Sequence, residues 1–365
     1  MILSEVKEHI AREEKMAVCE ARLPVLLIHN IDPVWESSEK QEAIQGAHEI
    51  ESALRDFGHP VTTVPLTDTD LFSRLRGFDP DKYIVFNWCE ELPGVPHSGP
   101  IVARTLTNLG FTYTGAQAEV LELIWDKVKV KHLLDQHGIP TPRYRLYSSA
   151  NLDGWDSFPA IVKPSREHCS CGISPASVVG TPNELTEQIA TVTENLRQPA
   201  LVEEFIDGRE CHVPLWGDKG GGVQMLPAAE MDFSAFKSVR DRLCTFDSKF
   251  RPGSRHYEEI EVQIPAILDK TELEDLEKTS VEVCRIFGCL DYTRLDIRIQ
   301  NDTFYVLDVN PNPDIVGETS FVLSAALAGY SYGAMISHLV ELAALRHPIF
   351  SNAREGDDIM DFRKV

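Results

Sequence analysis

Residues 291–313 read DYTRLDIRIQNDTFYVLDVNPNP. Polar and apolar residues alternate along this stretch, the period of a half-buried strand. Gln300-Asn301-Asp302 breaks the alternation with turn residues. The stretch therefore predicts a hairpin. Side chains alternate faces along a strand, so Arg294, Asp296 and Arg298 share one face, and Leu295, Ile297 and Ile299 the other. On the second strand Asp308 and Asn310 share a face opposite Leu307 and Val309. Pairing the polar faces gathers two carboxylates, an amide and a guanidinium. With phosphate oxygens, such a set makes an oxygen shell suited to magnesium. Alternation alone fits a solvated sheet face better. Against that stands the Asn310-Pro311-Asn312-Pro313 exit, a rigid extended end where a site loop would begin.

The chain around the hairpin has 365 residues and 43% apolar content, enough for two or three domains with full cores. Its 35 Lys+Arg against 57 Asp+Glu give a charge of −22. Such a surface repels phosphate backbones, so no nucleic-acid partner is expected. A small anionic ligand remains compatible, because a few local cations reverse the field within a cleft. No apolar run is long enough for a membrane span, and residues 1–21 mix both signs of charge, unlike a signal peptide. Leu3, Val6 and Ile10 suggest a helical N-terminal extension there. The eight cysteines form no CxxC pair, which fits a reduced, cytoplasmic protein.

Residues 22–125 alternate strand and helix: strands at 24–30, 61–64 and 83–86, and between the first two a helix capped by Ser38 and ended by Gly58. Ala43, Ile44, Ala47, Ile50, Leu54 and Phe57 form its apolar face. This is a parallel α/β unit. Residues 126–209 are mixed: a Lys-rich helix at 126–138, strands at 160–163, 176–179 and 200–206, and a helix at 181–197. Residues 210–350 are richest in strands, at 210–216, 222–231, 291–299 and 303–310, with helices at 272–288 and 332–345. Residues 351–365 are a charged tail.

The Arg-x-Asp of the hairpin, followed about twelve residues on by Asp-x-Asn-x-x-Pro, resembles the ATP-grasp enzymes of the D-alanine–D-alanine ligase group. The resemblance runs from about Tyr83 to Leu345. It implies a three-domain α/β and α+β ATP-grasp fold, with a Rossmann-like N-terminal domain and a nucleotide cleft between two β-rich domains. It implies Asp296, Asp308 and Asn310 as ligands of two magnesium ions, for which manganese may stand in, and Arg294 as a catalytic cation. Asp308 stands where the family more often has Glu, a shorter arm.

Other segments resemble the family's nucleotide site. Asp126-Lys127 and Lys131 match Asp-Lys-x-x-x-Lys, which assigns Lys127 to phosphate; the residues alone fit a solvated helix. Lys163 ends an apolar strand, costly for a lone ammonium, so an anion is expected nearby. Residues 165–172 match a phosphate-covering loop whose serine is Ser170; His168 in it is read equally as exposed. Residues 201–210, LVEEFIDGRE, match the adenine hinge. There Glu203 would accept from the adenine amino group, the backbone of Glu204, Phe205 and Ile206 would pair with adenine, and Glu210 would bind ribose. Lys249 in TFDSKF matches a loop lysine that touches the γ-phosphate, so Lys249 and Ser170 join Arg294 as catalytic candidates. The residues alone fit a solvated lysine there.

The resemblance implies ligation of a small carboxylate to an amine through an acylphosphate, with ADP and phosphate released. Two stretches depart from D-alanine enzymes: the loop 311–320, PNPDIVGETS, and residues 30–38, NIDPVWESS. At residues 87–91, NWCEE, the likeness is to ligase-like proteins with Asn-x-x-Glu. Glu90, Asp314 and Glu318 are therefore the substrate candidates, and D-alanine is not the expected acceptor; Asp314 is read equally as an outward turn cap. True D-alanine–D-alanine ligation, a non-ligase phosphotransferase and an inactive nucleotide-binding protein are the alternatives, and a homodimer is one option for assembly.

Overall fold

The computed structural model describes residues 23–150, 154–218 and 220–351. The expected N-terminal helix and charged tail lie outside the described residues, except that Ser351 falls within them. The first sheet orders β2 (Val61–Leu66), β1 (Val25–Asn30), β3 (Ile84–Trp88) and β4 (Thr112–Tyr113), all pairs parallel. Short apolar strands joined through a helix give this arrangement. The helix Ser37–Asp56 buries Ala47, Ile50, Ala53 and Leu54 against it. Two details differ from expectation. Ile44 is 50% exposed, on the rim of the stripe rather than in it. Glu36, not Ser38, is the N-cap, and its N–H donates to Glu39 Oε2 at 2.7 Å. Gly58, at φ 85°, turns the chain after the helix, a conformation open to glycine.

The second sheet is antiparallel and orders β5 (Tyr144–Tyr147), β8 (Ala200–Glu204), β6 (Ala160–Pro164) and β7 (Val178–Val179). The helix Pro182–Asn195, capped by the Thr181 hydroxyl, packs Leu185, Ile189 and Val192 onto Val162 and Val202. The strand expected at 176–179 keeps only its last two residues, because Pro175–Ser177 coil into a 3-10 turn.

The third sheet orders β12 (Glu261–Gln263), β11 (Ala229–Asp232), β9 (Arg209–Gly217), β13 (Tyr292–Gln300) and β14 (Thr303–Pro311), with β10 (Val223–Met225) also on β9. The single strand expected at 222–231 divides into β10 and β11 around Pro227, which lacks a ladder donor. The helix Lys270–Phe287 backs this sheet, from its Asp269 cap to Gly288 at φ 66°. Its Leu276, Val283 and Phe287 share a core with Val213, Leu295 and Ile297.

The helix Tyr332–Ala344 crosses back to the first sheet. Its Met335, Ile336, Leu339 and Val340 pack with Val25, Leu27, Ile50 and Phe86. The hairpin β13–β14 is tied down at the same place. Asp291 accepts from Gly115 N at 2.7 Å and from Arg346 Nη2 at 2.9 Å, and Arg346 Nη1 bonds its other oxygen. Arg346 Nη2 also reaches Tyr113 O at 2.9 Å. Among the described residues no single helix is long and apolar enough to cross a membrane.

Breaking this tie leaves a buried carboxylate unpaired. Arg346→Ala is expected to lower unfolding stability by about 3 kcal/mol. Arg255→Ala, at the exposed pair with Glu259, should cost under about 1 kcal/mol. Urea unfolding of the two variants checks the difference.

Candidate functional site

The hairpin register sets the site. Arg294 pairs with Asn310 and Asp296 with Asp308 across β13–β14. Past Asp296 the register slips, so Ile297 faces Val306 and Leu307 is the extra residue of a bulge. This corrects the simple alternation expected: Val306 takes the core position, and Leu307 turns onto the cleft beside Asp308. Arg294 Nε and Nη2 grip Asp296 at 2.7 and 3.1 Å. The buried Asn310 Nδ2 has no hydrogen-bond partner.

Facing this hairpin is a cleft of about 1010 Å³, lined also by Lys127, Lys163, Ser170 and Lys249. Asp126 caps the helix Lys127–Gln136 by accepting from Val128 N and Lys129 N. One turn separates Lys127 and Lys131, so both face inward. Lys127 Nζ bonds Asp308 Oδ1 at 2.7 Å. Burial raises the Asp308 carboxyl, but Lys127 and Lys163 outweigh it and hold the group well below the usual range. Lys131 and Lys163 reach opposite oxygens of Glu203 at 3.1 and 2.9 Å, all three heads buried. Burial opposes the Glu203 charge, and the two lysines outweigh it, so its carboxyl is lowered. The Glu203 carboxylate, read as an adenine acceptor, is thus engaged by two lysines. Glu204 next to it is only half-buried.

At the β9 end, Glu210 and His212 alternate onto the cleft, opposite Arg298 and Asp296 of β13. Arg298 donates to Glu210 Oε2 at 2.7 and 2.9 Å and to Ile206 O at 2.6 Å, with its guanidinium 4.6 Å from the Phe205 ring centroid. Ser170 sits at φ 58° in the covering loop, and its hydroxyl donates to Cys244 O at 3.0 Å. Lys249 lies in the short helix Phe246–Phe250, half-buried on the cleft wall. His168 packs edge-on to Trp125 at 4.1 Å, and Trp125 stacks on His97 at 4.1 Å. Burial and then Lys127 push the His168 imidazole down to about 4, so it is neutral near pH 7.

At the other end Glu90, Cys169, Asp314 and Glu318 line the opening. Crowding by protein atoms, then Asp314 and Glu91, push the Glu90 carboxyl up to about 7. Asp314 Oδ1 also accepts from Val316 N at 2.9 Å, so it closes the turn while facing the cleft. The departing stretch 30–38 does not line this cleft; residues 87–91 do.

Several site residues carried no assignment from sequence. Lys131 was legible, one helical turn from Lys127. Arg298 was legible as a third member of the hairpin face. His212, Cys244 and the His97–Trp125–His168 stack come from separate segments, and no local pattern joins them.

The chain and its fold are similar to known proteins. The family described as D-ala D-ala ligase C-terminus matches residues 133–341. A Sinorhizobium fredii protein, "Uncharacterized protein y4sG", is 30% identical over 82% of this chain and 88% of its own length. The D-alanine--D-alanine ligase of Maridesulfovibrio salexigens is 29% identical over 84% of this chain and 95% of its own. Among solved structures, a Bacillus anthracis D-alanine--D-alanine ligase complexed with ATP has the same fold. It aligns with a TM-score of 0.69 at 21% identity, covering 91% of this chain and 99% of that one.

The doubly paired Glu203 makes a stability test. Glu203→Gln leaves two buried ammonium groups without their shared anion and is expected to cost about 3–5 kcal/mol. Glu204→Gln, at a half-buried neighbour, should stay within about 0.5 kcal/mol. Paired denaturant melts decide it.

Proposed function

Because the chain belongs to the D-alanine–D-alanine ligase family, ATP-grasp enzymes that form C–N bonds between a carboxylate and an amine, we propose a ligation through an acylphosphate whose acceptor is not D-alanine. The observation that carries the ligase reading is Asp296 directly opposite Asp308, flanked by Arg294 and Asn310, before a cleft with three lysines. The metal-side donors are all oxygens, the Asp296 and Asp308 carboxylates and the Asn310 Oδ1, while the buried, unpartnered Asn310 Nδ2 is a donor suited to an acceptor such as a phosphate oxygen. This set fits hard divalent cations, two of them by resemblance, held by Asp296, Asp308 and Asn310. Bound magnesium would supply charge neutralisation on the triphosphate.

The residues divide the work by position. Lys127, Lys163 and Lys249 offer cationic heads to phosphate oxygens, and the small residues around Ser170 allow backbone amides close to them. Arg298 orders the hinge and holds Glu210 through Oε2, so the oxygen that would meet ribose hydroxyls is Oε1, on the His212 side. Glu203 stays with its two lysines, so adenine is read by the hinge backbone at 204–206. A substrate carboxylate attacks the γ-phosphate, giving the acylphosphate and ADP; the amine then attacks the acyl carbon and phosphate leaves. Negative charge grows on transferring and carbonyl oxygens, where Arg294 stands. No covalent enzyme intermediate is needed; positioning and charge are.

The acceptor reading rests on Glu90 and Asp314, two acids at the opening. They repel an acceptor carboxylate and attract a distant ammonium or guanidinium, by a few kcal/mol on an order-of-magnitude Coulomb estimate. The ligases among the relatives favour D-alanine instead.

Two outcomes test these roles. Arg294→Ala should lower kcat by roughly 10²–10³ with ATP affinity little changed, and Asp308→Ala should abolish phosphate release with the fold intact. A variant losing only ATP affinity contradicts the role of Arg294.

The acceptor is tested by phosphate release with D-alanine, L-amino acids and basic amines. D-alanine should be poor, and Asp314→Gly should improve it. Glu90 is anionic above about pH 7 and neutral below, so the KM of a cationic acceptor should rise as pH falls through 7. Glu90→Gln should remove that limb. D-alanine as the best acceptor of the unmodified protein sinks this reading.

A further inference from the structure

One corner of the cleft has a different chemistry from the oxygen-lined metal site. Glu210, His212 and Cys244 each point a ligand atom into it, and these atoms lie within 4.8 Å of one another. His212 Nε2 is 3.8 Å from Glu210 Oε1 and 3.9 Å from Asp296 Oδ1. In a tetrahedral zinc site with bonds of about 2.0–2.3 Å, neighbouring ligand atoms stand about 3.3–3.8 Å apart. With separations of up to 4.8 Å, the side chains must draw in by about 1 Å to close around an ion.

Three separate segments build this corner. Glu210 and His212 are alternate residues of β9, Asp296 pairs with His212 from β13, and Cys244 comes from the loop before the helix Phe246–Phe250. Arg298 occupies Glu210 Oε2, which leaves Oε1 toward His212. Arg298 bonds Glu210 through Oε2 alone, an outer partner of the kind that orients a metal ligand, whereas Arg294 holds both oxygens of Asp296, so Asp296 joins as a ligand only by loosening that pair. A thiolate, an imidazole and carboxylates together select zinc over magnesium.

We propose that Glu210, His212, Cys244 and Asp296 form a zinc site that excludes ATP from the cleft. The Cys244 thiol gives its proton to solvent as the sulfur–zinc bond forms. A zinc ion there takes Glu210 Oε1 from ribose and Asp296 from the magnesium shell. Through Cys244 it also fixes the backbone carbonyl that holds Ser170. The exclusion rests on the nucleotide reading above; zinc binding itself does not.

Cobalt titration of the full, reduced chain without nucleotide tests the site. One equivalent should give tetrahedral d–d bands and a thiolate-to-cobalt charge-transfer band, both bleached by zinc. Cys244→Ser should lose the charge-transfer band, His212→Asn should weaken affinity at least about tenfold, and Cys169→Ser should change neither. No thiolate band, or a band that survives in Cys244→Ser, overturns the site. Circular dichroism confirms that the variants fold, and Cys244→Ala supplies a second substitution. Mg-ATP should weaken cobalt binding in proportion to its occupancy. Calorimetric binding of Mg-ATP with cobalt affinity unmoved overturns the exclusion. If Mg-ATP does not bind the metal-free chain, the nucleotide reading fails, while the cobalt spectra still decide the zinc site.

Discussion

Two carboxylates face each other across β13 and β14, and the rest of the cleft answers that opposition. Asp296 opposite Asp308 is a repulsive cross-strand pair in a largely buried place. Arg294 offsets it on one side and Lys127 on the other. The two cations reach the hairpin by different routes. Arg294 lies two residues along the same strand, so its position follows from the pleat. Lys127 arrives from a segment distant in sequence, on a helix whose first turn is held by Asp126 and whose Val130 and Leu134 share a core with the third sheet. The pair Lys127–Asp308 therefore fastens the linking helix to the third sheet. Any metal ion or phosphate entering between the carboxylates must compete with those pairs.

The parts legible in sequence were those governed by local periodicity. Parallel strands around a helix, the Lys127 helix and the hairpin all follow from the order of apolar residues within one segment. What escaped was set by contacts distant in sequence or by small local slips. The Leu307 bulge shifts the faces of half a strand, and alternation cannot foresee an extra residue. Pro227 divides a strand that its apolar content alone would continue. Glu203 looks like any acid at a strand end, and only the fold brings Lys131 and Lys163 to its two oxygens. His212 and Cys244, 32 residues apart (244 − 212), meet because β9 and the loop before Phe246 converge on one corner.

An acidic chain of charge −22 thus keeps a cationic interior. Lys127, Lys131, Lys163, Arg294 and Arg298 are largely withdrawn from water, each matched to a carboxylate. Buried pairs of this kind add little net stability, since desolvation consumes most of the attraction. Their value is orientation: each pair fixes where its cationic head sits. The acidic exterior is no obstacle, because charges farther than a Debye length of about 8 Å are screened and the cleft groups are not.

The two ends of the cleft differ in chemistry from its middle. The middle carries Lys127, Lys163 and Arg294 beside Asp296 and Asp308, and on the proposed reading it would handle phosphate, whose demands on charge and distance leave little freedom. At the opening, burial first and then Asp314 and Glu91 push the Glu90 carboxyl up to about 7. Such a cluster is poised for a cation, because an incoming positive group relieves a repulsion already present. At the other end, His212 and Cys244 stand beside Glu210, a carboxylate that on the proposed reading would need only one free oxygen for a sugar hydroxyl. Softer donors are tolerated there because no phosphate charge rests on them, and that tolerance makes the corner hospitable to a softer ion.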